Sequence, residues 1–114
     1  MAKIPVQQEV PALVKSFTKN GVTYNAVRQG KIVTITGAGV ATNAVAAYST
    51  LFNITEFPDN IFKSGDTLMN SAALVTSDTA SPYARIYASG SNIGTAHAIS
   101  AGQGVIFTLT TALN

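Results

Sequence analysis

The last third of the chain is a succession of short extended runs separated by turns, and this pattern restricts the fold more than any other feature. The runs are rich in β-branched and aromatic residues, and they cover residues 81–94, 95–100 and 105–113, with a turn at 102–104. Short runs bounded by glycine, asparagine and serine predict β-strands joined by tight connections. The pattern therefore favours an antiparallel all-β fold.

The first third of the chain predicts a three-stranded meander. Asn20-Gly21 is a strong hairpin signal because both residues tolerate a positive φ. It joins a loosely alternating segment, 12–19, to residues 22–28, which alternate in the manner of a half-buried strand. A second turn at Gln29-Gly30 leads into residues 31–36, whose high β-branched content favours a third strand.

The middle of the chain is less regular. Residues 38–48 are rich in alanine and show no clear preference, although 43–47 is a candidate helical turn. Residues 49–54 and 67–77 are predicted to be strands, and residues 78–82 a loop. The total is about eight strands at the spacing of a β-sandwich or jelly roll.

The predicted fold is an antiparallel β-sandwich or jelly-roll-like barrel that forms a single domain over residues 12–114. Phe57, Ile61 and Phe62 are expected to close one end of its core, while Pro58-Asp59 makes a turn. Residues 1–11 contain two prolines, which disfavour a regular element. This segment is predicted to be a linker or an edge segment of a longer polypeptide.

Charged residues are scarce in this chain. They make up 11% of the 114 residues, well below the roughly 25% usual for soluble domains. Two explanations remain open. Either part of the surface is buried in an assembly, or threonine and serine keep an otherwise ordinary β protein in solution.

The sequence argues against several kinds of partner. The formal charge is +2, but the seven Lys and Arg residues form no dense basic stripe, so no nucleic acid partner is expected. No apolar run approaches the roughly 18 residues of a spanning helix, which predicts no membrane insertion. The start of the chain lacks the apolar region of a signal peptide, which predicts synthesis in the cytoplasm.

No motif predicts an enzyme or a cofactor. His97 is the only histidine, and it lies in the strand-like pattern Ala96-His97-Ala98 without a serine nucleophile motif nearby. One histidine and no cysteine provide no recognisable metal-ligand spacing. The acidic residues fall in predicted turns or in the linker, where local hydrogen bonds are their common role. These residues are Glu9, Glu56, Asp59, Asp66 and Asp78.

Tyr83, Arg85 and Tyr87 alternate onto one face of a single predicted strand. Two aromatic rings around a five-donor guanidinium suit a hydroxylated polymer such as a saccharide, or a phosphate-bearing polymer. His97 and Asp78 are weaker candidates for the same site. In the alternative interpretation, one or both tyrosines line the core and Arg85 caps its edge.

Several short motifs follow one another in a defined order: Asn20–Tyr24, Arg28–Thr36, Leu51–Ile54, Phe57–Asp59 and Ala84–Gly90. In this order they resemble the C-terminal head domains of receptor-binding proteins from the tails and baseplates of phages of Gram-positive bacteria. The resemblance covers roughly residues 13–113. It implies a β-barrel or sandwich that forms a homotrimer and adsorbs to a cell-wall saccharide near protomer boundaries.

The chain departs from that pattern in two places. In those heads a His-x-Asp pair contacts sugar, and here Tyr83 and Arg85 occupy the matching positions. The chain also has no tryptophan, so a tyrosine is expected to supply the stacking surface.

Residues and resemblance together predict a non-catalytic head domain located at the tail tip or baseplate of a virion. Its expected partners are two further copies of itself, host cell-wall saccharide and other tail or baseplate proteins. The alternative is a purely structural tail, baseplate or decoration module that binds no glycan.

Overall fold

The structure, a computed structural model, describes residues 11–77 and 80–114. In chain order its strands are β1 (Leu13–Lys19), β2 (Val22–Gln29), β3 (Ile32–Val40), β4 (Ser49–Asn53), β5 (Leu68–Ser77), β6 (Ala80–Gly90), β7 (Asn92–Thr95) and β8 (Gly104–Ala112). One 3-10 turn, Ile54–Glu56, follows β4. Most of the predicted linker, 1–11, lies outside the described residues.

The eight strands form one sheet in the order β1-β2-β3-β8-β5-β6-β7-β4. Every pairing is antiparallel, and the sheet curls into a half-barrel. The predicted all-β antiparallel fold of about eight strands is therefore confirmed. The strands belong to a single continuous sheet, which surrounds the core by curling.

The turn between β1 and β2 has a second role in the fold. Asn20 and Gly21 adopt φ angles of 53° and 81°, as the predicted hairpin requires. The Asn20 side chain accepts a hydrogen bond from the Asn43 N–H at 2.8 Å and donates one to the Asn43 carbonyl at 3.0 Å. The first turn thus fixes the loop that follows β3.

The core lies on the concave side of the sheet. Ala26, Ile35 and Leu109 pair across β2, β3 and β8, and all three are fully buried. The predicted plug at one end is confirmed, since its members are each 2% exposed; they are Phe57, Ile61 and Phe62.

Burial, reinforced by the negative charge of Glu56, raises the pKa of Tyr24 to about 12.

The charged side chains of β1 and β2 also lie on the concave side, where each meets an acidic residue of segment 54–66. The pairs are Lys15–Asp59 at 2.8 Å, Lys19–Glu56 at 2.9 Å and Arg28–Asp66 at 3.6 Å. Most of these side chains remain partly exposed, so each pair stabilises the fold only weakly. Their common effect is to orient segment 54–66 across the end of the core.

The opposite side of β1, β2, β3 and β8 carries no charged residue at any of its described positions. Its side chains alternate with the core positions, and the register aligns them in rows across the four strands. We call this surface the outer face. Its members include Val14, Ser16, Thr18, Thr23, Asn25, Val27, Ile32, Thr34, Thr36, Ala38, Ile106, Thr108 and Thr110.

Two predictions about the middle of the chain are corrected by the structure. β3 does not end near residue 36 but continues to Val40. The reason lies in Gly37, where a Cβ would stand 2.2 Å from Phe107 Cε1, so glycine lets the phenylalanine ring lie against the strand. The candidate helical turn at 43–47 is not helical, because Val45 instead exchanges backbone hydrogen bonds with Ile99 at 2.8 and 2.9 Å.

Two further differences concern the last third. β6 begins at Ala80, within the segment 78–82 that was expected to be a loop. His97 lies just beyond β7, which ends at Thr95, and is therefore in a loop and exposed. The reason for the second difference is local, since the Thr95 hydroxyl donates to the His97 carbonyl at 2.7 Å and turns the chain away from the sheet.

Candidate functional site

The three residues singled out on β6 alternate with the buried Ala84 and Ile86. They therefore leave the strand on the side opposite these core positions. Their surroundings differ strongly: Tyr83 and Tyr87 are half-buried, whereas Arg85 is exposed.

Tyr83 is held by the fold. Its ring packs against the buried core cluster, and its hydroxyl donates a hydrogen bond to the Gly104 carbonyl at the start of β8. Burial raises the pKa of this phenol. Since both the ring and the hydroxyl already have partners, Tyr83 fits the alternative in which a tyrosine of β6 supports the core.

Tyr87 lies over the neighbouring strand. It pairs with Gly94 of β7, and a Cβ on that glycine would stand 2.6 Å from the Tyr87 Cζ and hydroxyl oxygen. Only glycine therefore lets the phenol end of the ring rest on β7. The ring also lines an open groove of about 470 Å³ between β5 and β6, together with Asn70 and Ser89.

Arg85 and His97 meet through the backbone. The Arg85 N–H donates a hydrogen bond to His97 Nδ1 at 3.2 Å, and the Ala96 N–H donates to the Arg85 carbonyl at 2.8 Å. Because a backbone amide can only donate, Nδ1 must be the unprotonated ring nitrogen. The neutral imidazole then carries its proton on Nε2. The site thus combines a fixed imidazole donor with the exposed guanidinium of Arg85.

Tyr48 is a member of this region that the sequence interpretation missed. Its side chain is 78% exposed, the highest value among the large apolar side chains described, and its φ is 58°. A bulky residue rarely adopts this left-handed conformation, and such strain is concentrated at functional sites. The available signal was a lone aromatic residue within an alanine-rich loop.

Two backbone pairings bring Tyr48 to the same region as His97. Ser49 pairs with Thr95, and Val45 pairs with Ile99. Tyr48 lies between the first members of these pairs and His97 between the second. The two exposed side chains therefore arise from adjoining stretches of backbone at one margin of the sheet.

The acidic residues do not join this region. Asp59 and Asp66 face Lys15 and Arg28, and Asp78 lies outside the described residues. Glu56 caps the 3-10 turn: burial alone would raise its pKa, but the Asn53 N–H and the Lys19 ammonium outweigh this and hold the pKa below its ordinary value.

Comparison with known proteins adds no further assignment, since the sequence matches no protein-family model and no curated protein. Within residues 11–77 and 80–114, no group of three or more histidine, aspartate or glutamate side chains is placed to hold a metal ion. The same residues include no helix that is long and apolar enough to span a bilayer.

The hydrogen bond at Nδ1 makes a direct prediction for His97. We expect its neutral side chain to occupy the Nε2–H tautomer, because only that form accepts the Arg85 N–H. Nitrogen-15 chemical shifts of the two ring nitrogens distinguish the tautomers in solution. A neutral ring protonated at Nδ1 would show that this contact is absent.

Proposed function

We propose that this chain is a non-catalytic receptor-binding head domain of a phage tail or baseplate protein. In this proposal it acts as a homotrimer that attaches the virion to host cell-wall saccharide. The binding groups are the Arg85 guanidinium, the His97 imidazole and the rings of Tyr48 and Tyr87. Tyr83 supports the site through its hydrogen bond to the Gly104 carbonyl rather than by contacting the ligand.

The observation that carries the proposal is the hydrogen bond from the Arg85 N–H to His97 Nδ1. It fixes the imidazole of His97 beside β6. The outward side chains of this strand include the exposed guanidinium of Arg85 and the ring of Tyr87. Saccharide hydroxyls accept hydrogen bonds from such donors, and the flat faces of pyranose rings stack on aromatic side chains. The exposed ring of Tyr48 offers a stacking surface at the margin of the same region.

Each site is expected to bind weakly, because hydrogen bonds to hydroxyls replace comparable bonds to water. Three sites on one trimer, and several trimers on one virion, would raise the effective concentration of the second and later contacts. Firm attachment would therefore come from the number of sites. The proposed homotrimer and the open, shallow site are consistent with each other in this respect.

Removal of the guanidinium tests the site most directly. We expect Arg85→Ala to weaken binding about tenfold or more, because a hydrogen bond to a charged group contributes roughly 1.5–3 kcal/mol. The measurement is binding of labelled protein to an array of cell-wall saccharide fragments from Gram-positive bacteria. Lys31→Ala is the matched control, since it removes an exposed positive charge from the β2–β3 turn.

A second variant separates stacking from charge. Tyr48→Asn removes the ring but keeps a residue that tolerates the positive φ, and severalfold weaker binding is expected. If both variants bind like the parent while the parent binds saccharide, this site assignment is wrong. If the parent binds no fragment, the alternative of a purely structural virion module replaces the proposal.

A further inference from the structure

The turn between β1 and β2 contains a dipeptide that has a chemistry of its own. Asn20 is the one asparagine of the chain that precedes a glycine. The backbone nitrogen that follows an asparagine can attack the carbon of the side-chain amide, and glycine has no side chain to obstruct this approach. The two residues that form the hairpin turn are therefore also a site for chemical modification.

The reaction is a deamidation that consumes only water. The Gly21 nitrogen forms a bond to Cγ of Asn20, and the side-chain nitrogen leaves as ammonia with the proton that the Gly21 nitrogen loses. Water then opens the resulting cyclic imide at either of its carbonyl groups. The product at position 20 is an aspartate or its isomer linked through the β-carboxyl group.

The folded chain holds both reacting groups in place. The Asn20 side chain accepts a hydrogen bond from the Asn43 N–H at 2.8 Å and donates one to the Asn43 carbonyl at 3.0 Å. The Asn20 carbonyl accepts from the Thr42 N–H at 3.0 Å, which fixes the peptide group that contains the Gly21 nitrogen. Gly21 also packs so closely that a Cβ there would stand 2.2 Å from the Val40 carbonyl oxygen. Rotation of the amide toward the Gly21 nitrogen would therefore break existing contacts.

From these contacts we infer that Asn20 is a deamidation site that the fold keeps unreactive through its hydrogen bonds to residues 42 and 43. Reaction then proceeds from molecules in which these bonds have opened locally. The product cannot restore the contact, because a carboxylate accepts from the Asn43 N–H but has no proton to donate to the Asn43 carbonyl. The isomer also adds a carbon to the backbone of the turn, and turn length sets the register of β1 on β2.

Deamidation rates in the folded and the unfolded chain test this inference. The full chain is incubated in mildly alkaline buffer over a series of urea concentrations, and mass spectrometry of its peptides follows conversion at each asparagine. In the unfolded chain, position 20 is expected to react fastest. In the folded chain it should react at least about tenfold more slowly, the factor expected for breaking two hydrogen bonds of ordinary strength. Circular dichroism locates the unfolding transition, across which the rate should rise.

Asn43→Pro tests the contact itself, because proline has no N–H to donate. The folded variant is expected to deamidate at position 20 severalfold faster than the folded parent. Ala44→Pro is the matched control, since it places the same ring in the same loop but removes no donor to Asn20, and it should react like the parent. If Asn43→Pro does not fold, hydrogen exchange of the Asn43 N–H in the parent replaces it. Exchange and deamidation should then rise together as urea is added.

The outcomes decide the inference without reference to saccharide binding, so they are independent of the proposed function. Slow reaction of the folded parent, with fast reaction of the unfolded chain and of Asn43→Pro, supports it. Equal rates in the folded and unfolded chain overturn it, as does an unfolded chain in which another asparagine reacts faster. A folded Asn43→Pro that reacts no faster than Ala44→Pro, or deamidation that does not follow exchange of the Asn43 N–H, also overturns it.

Discussion

Replacing Phe52 with alanine should lower the free energy of unfolding by about 3–5 kcal/mol, the usual cost of removing a buried phenylalanine ring. Phe52 is fully buried, and its ring lies 4.3 Å from that of Tyr24, with a tilt of 43°. Two further rings, Phe17 and Phe57, stand edge-on to it at 5.3 and 5.6 Å. The truncation therefore removes both buried area and the aromatic contacts that join β1, β2 and the plug.

Urea unfolding, followed by circular dichroism, measures this effect. Met69→Ala is the control, because Met69 is 52% exposed and should change stability by about 0.5 kcal/mol or less. Phe52→Leu, which keeps much of the volume, should fall between the two. A Phe52→Ala variant as stable as the control would mean that the aromatic cluster is not the centre of the core.

The parts of the fold that follow local rules could be predicted from the sequence. Asn20-Gly21 gives the first hairpin because few other dipeptides accept two successive positive φ angles. Alternation in 22–28 predicts a strand with Val22, Tyr24, Ala26 and Arg28 on one face. The aromatic residues around Pro58 were correctly expected to plug one end, since large apolar side chains beside a turn need a buried partner.

The parts that depend on contacts between distant segments could not be predicted. The glycines at 37 and 39 resemble a loop signal, yet β3 runs through them because β8 and the first turn approach closely there. Likewise, Val45 forms a β-bridge with Ile99, which lies more than fifty positions further along the chain. The hydrophobic pattern of one segment cannot predict which distant segment it will pair with.

The candidate site shows the same division. The alternation of Tyr83, Arg85 and Tyr87 is a property of one strand and could be predicted. Their different roles could not be predicted. The Tyr83 hydroxyl donates its hydrogen bond to Gly104 of β8, and the Tyr87 ring lies against Gly94 of β7. Tyr48 was missed for the same reason, because only the sheet order brings its loop beside His97.

The shortage of charge acquires a location only in the folded chain. Composition alone cannot distinguish a surface on which a few charges are spread evenly from a surface that has one uncharged face. The register makes the distinction, because it places Lys15, Lys19 and Arg28 toward segment 54–66 and aligns threonines on the other side. The shortage of charge is therefore most pronounced on the outer face of β1, β2, β3 and β8.

Gly39→Ala is expected to lower the free energy of unfolding by about 3 kcal/mol or more, for two reasons that add. Gly39 has a φ of 155°, in a region that side chains other than glycine rarely occupy, at a cost of about 1–3 kcal/mol. A Cβ there would also stand 2.4 Å from the Gly21 carbonyl oxygen and 2.8 Å from the Val22 Cα. Both atoms belong to the backbone, so relief would require β2 to move away from β3, and overpacking of this kind costs about 1–3 kcal/mol.

Gly30→Ala separates the two contributions to this loss. Gly30 has a φ of 60°, but a Cβ there would meet no atom within 4 Å, so its cost should be limited to the conformational penalty of about 1–2 kcal/mol. Both variants are compared by urea unfolding, and the excess loss in Gly39→Ala measures the contact between the two backbones. Equal losses would mean that β2 and β3 can separate freely at this point. The first turn would then not be clamped between β3 and the loop that Asn20 holds through Asn43.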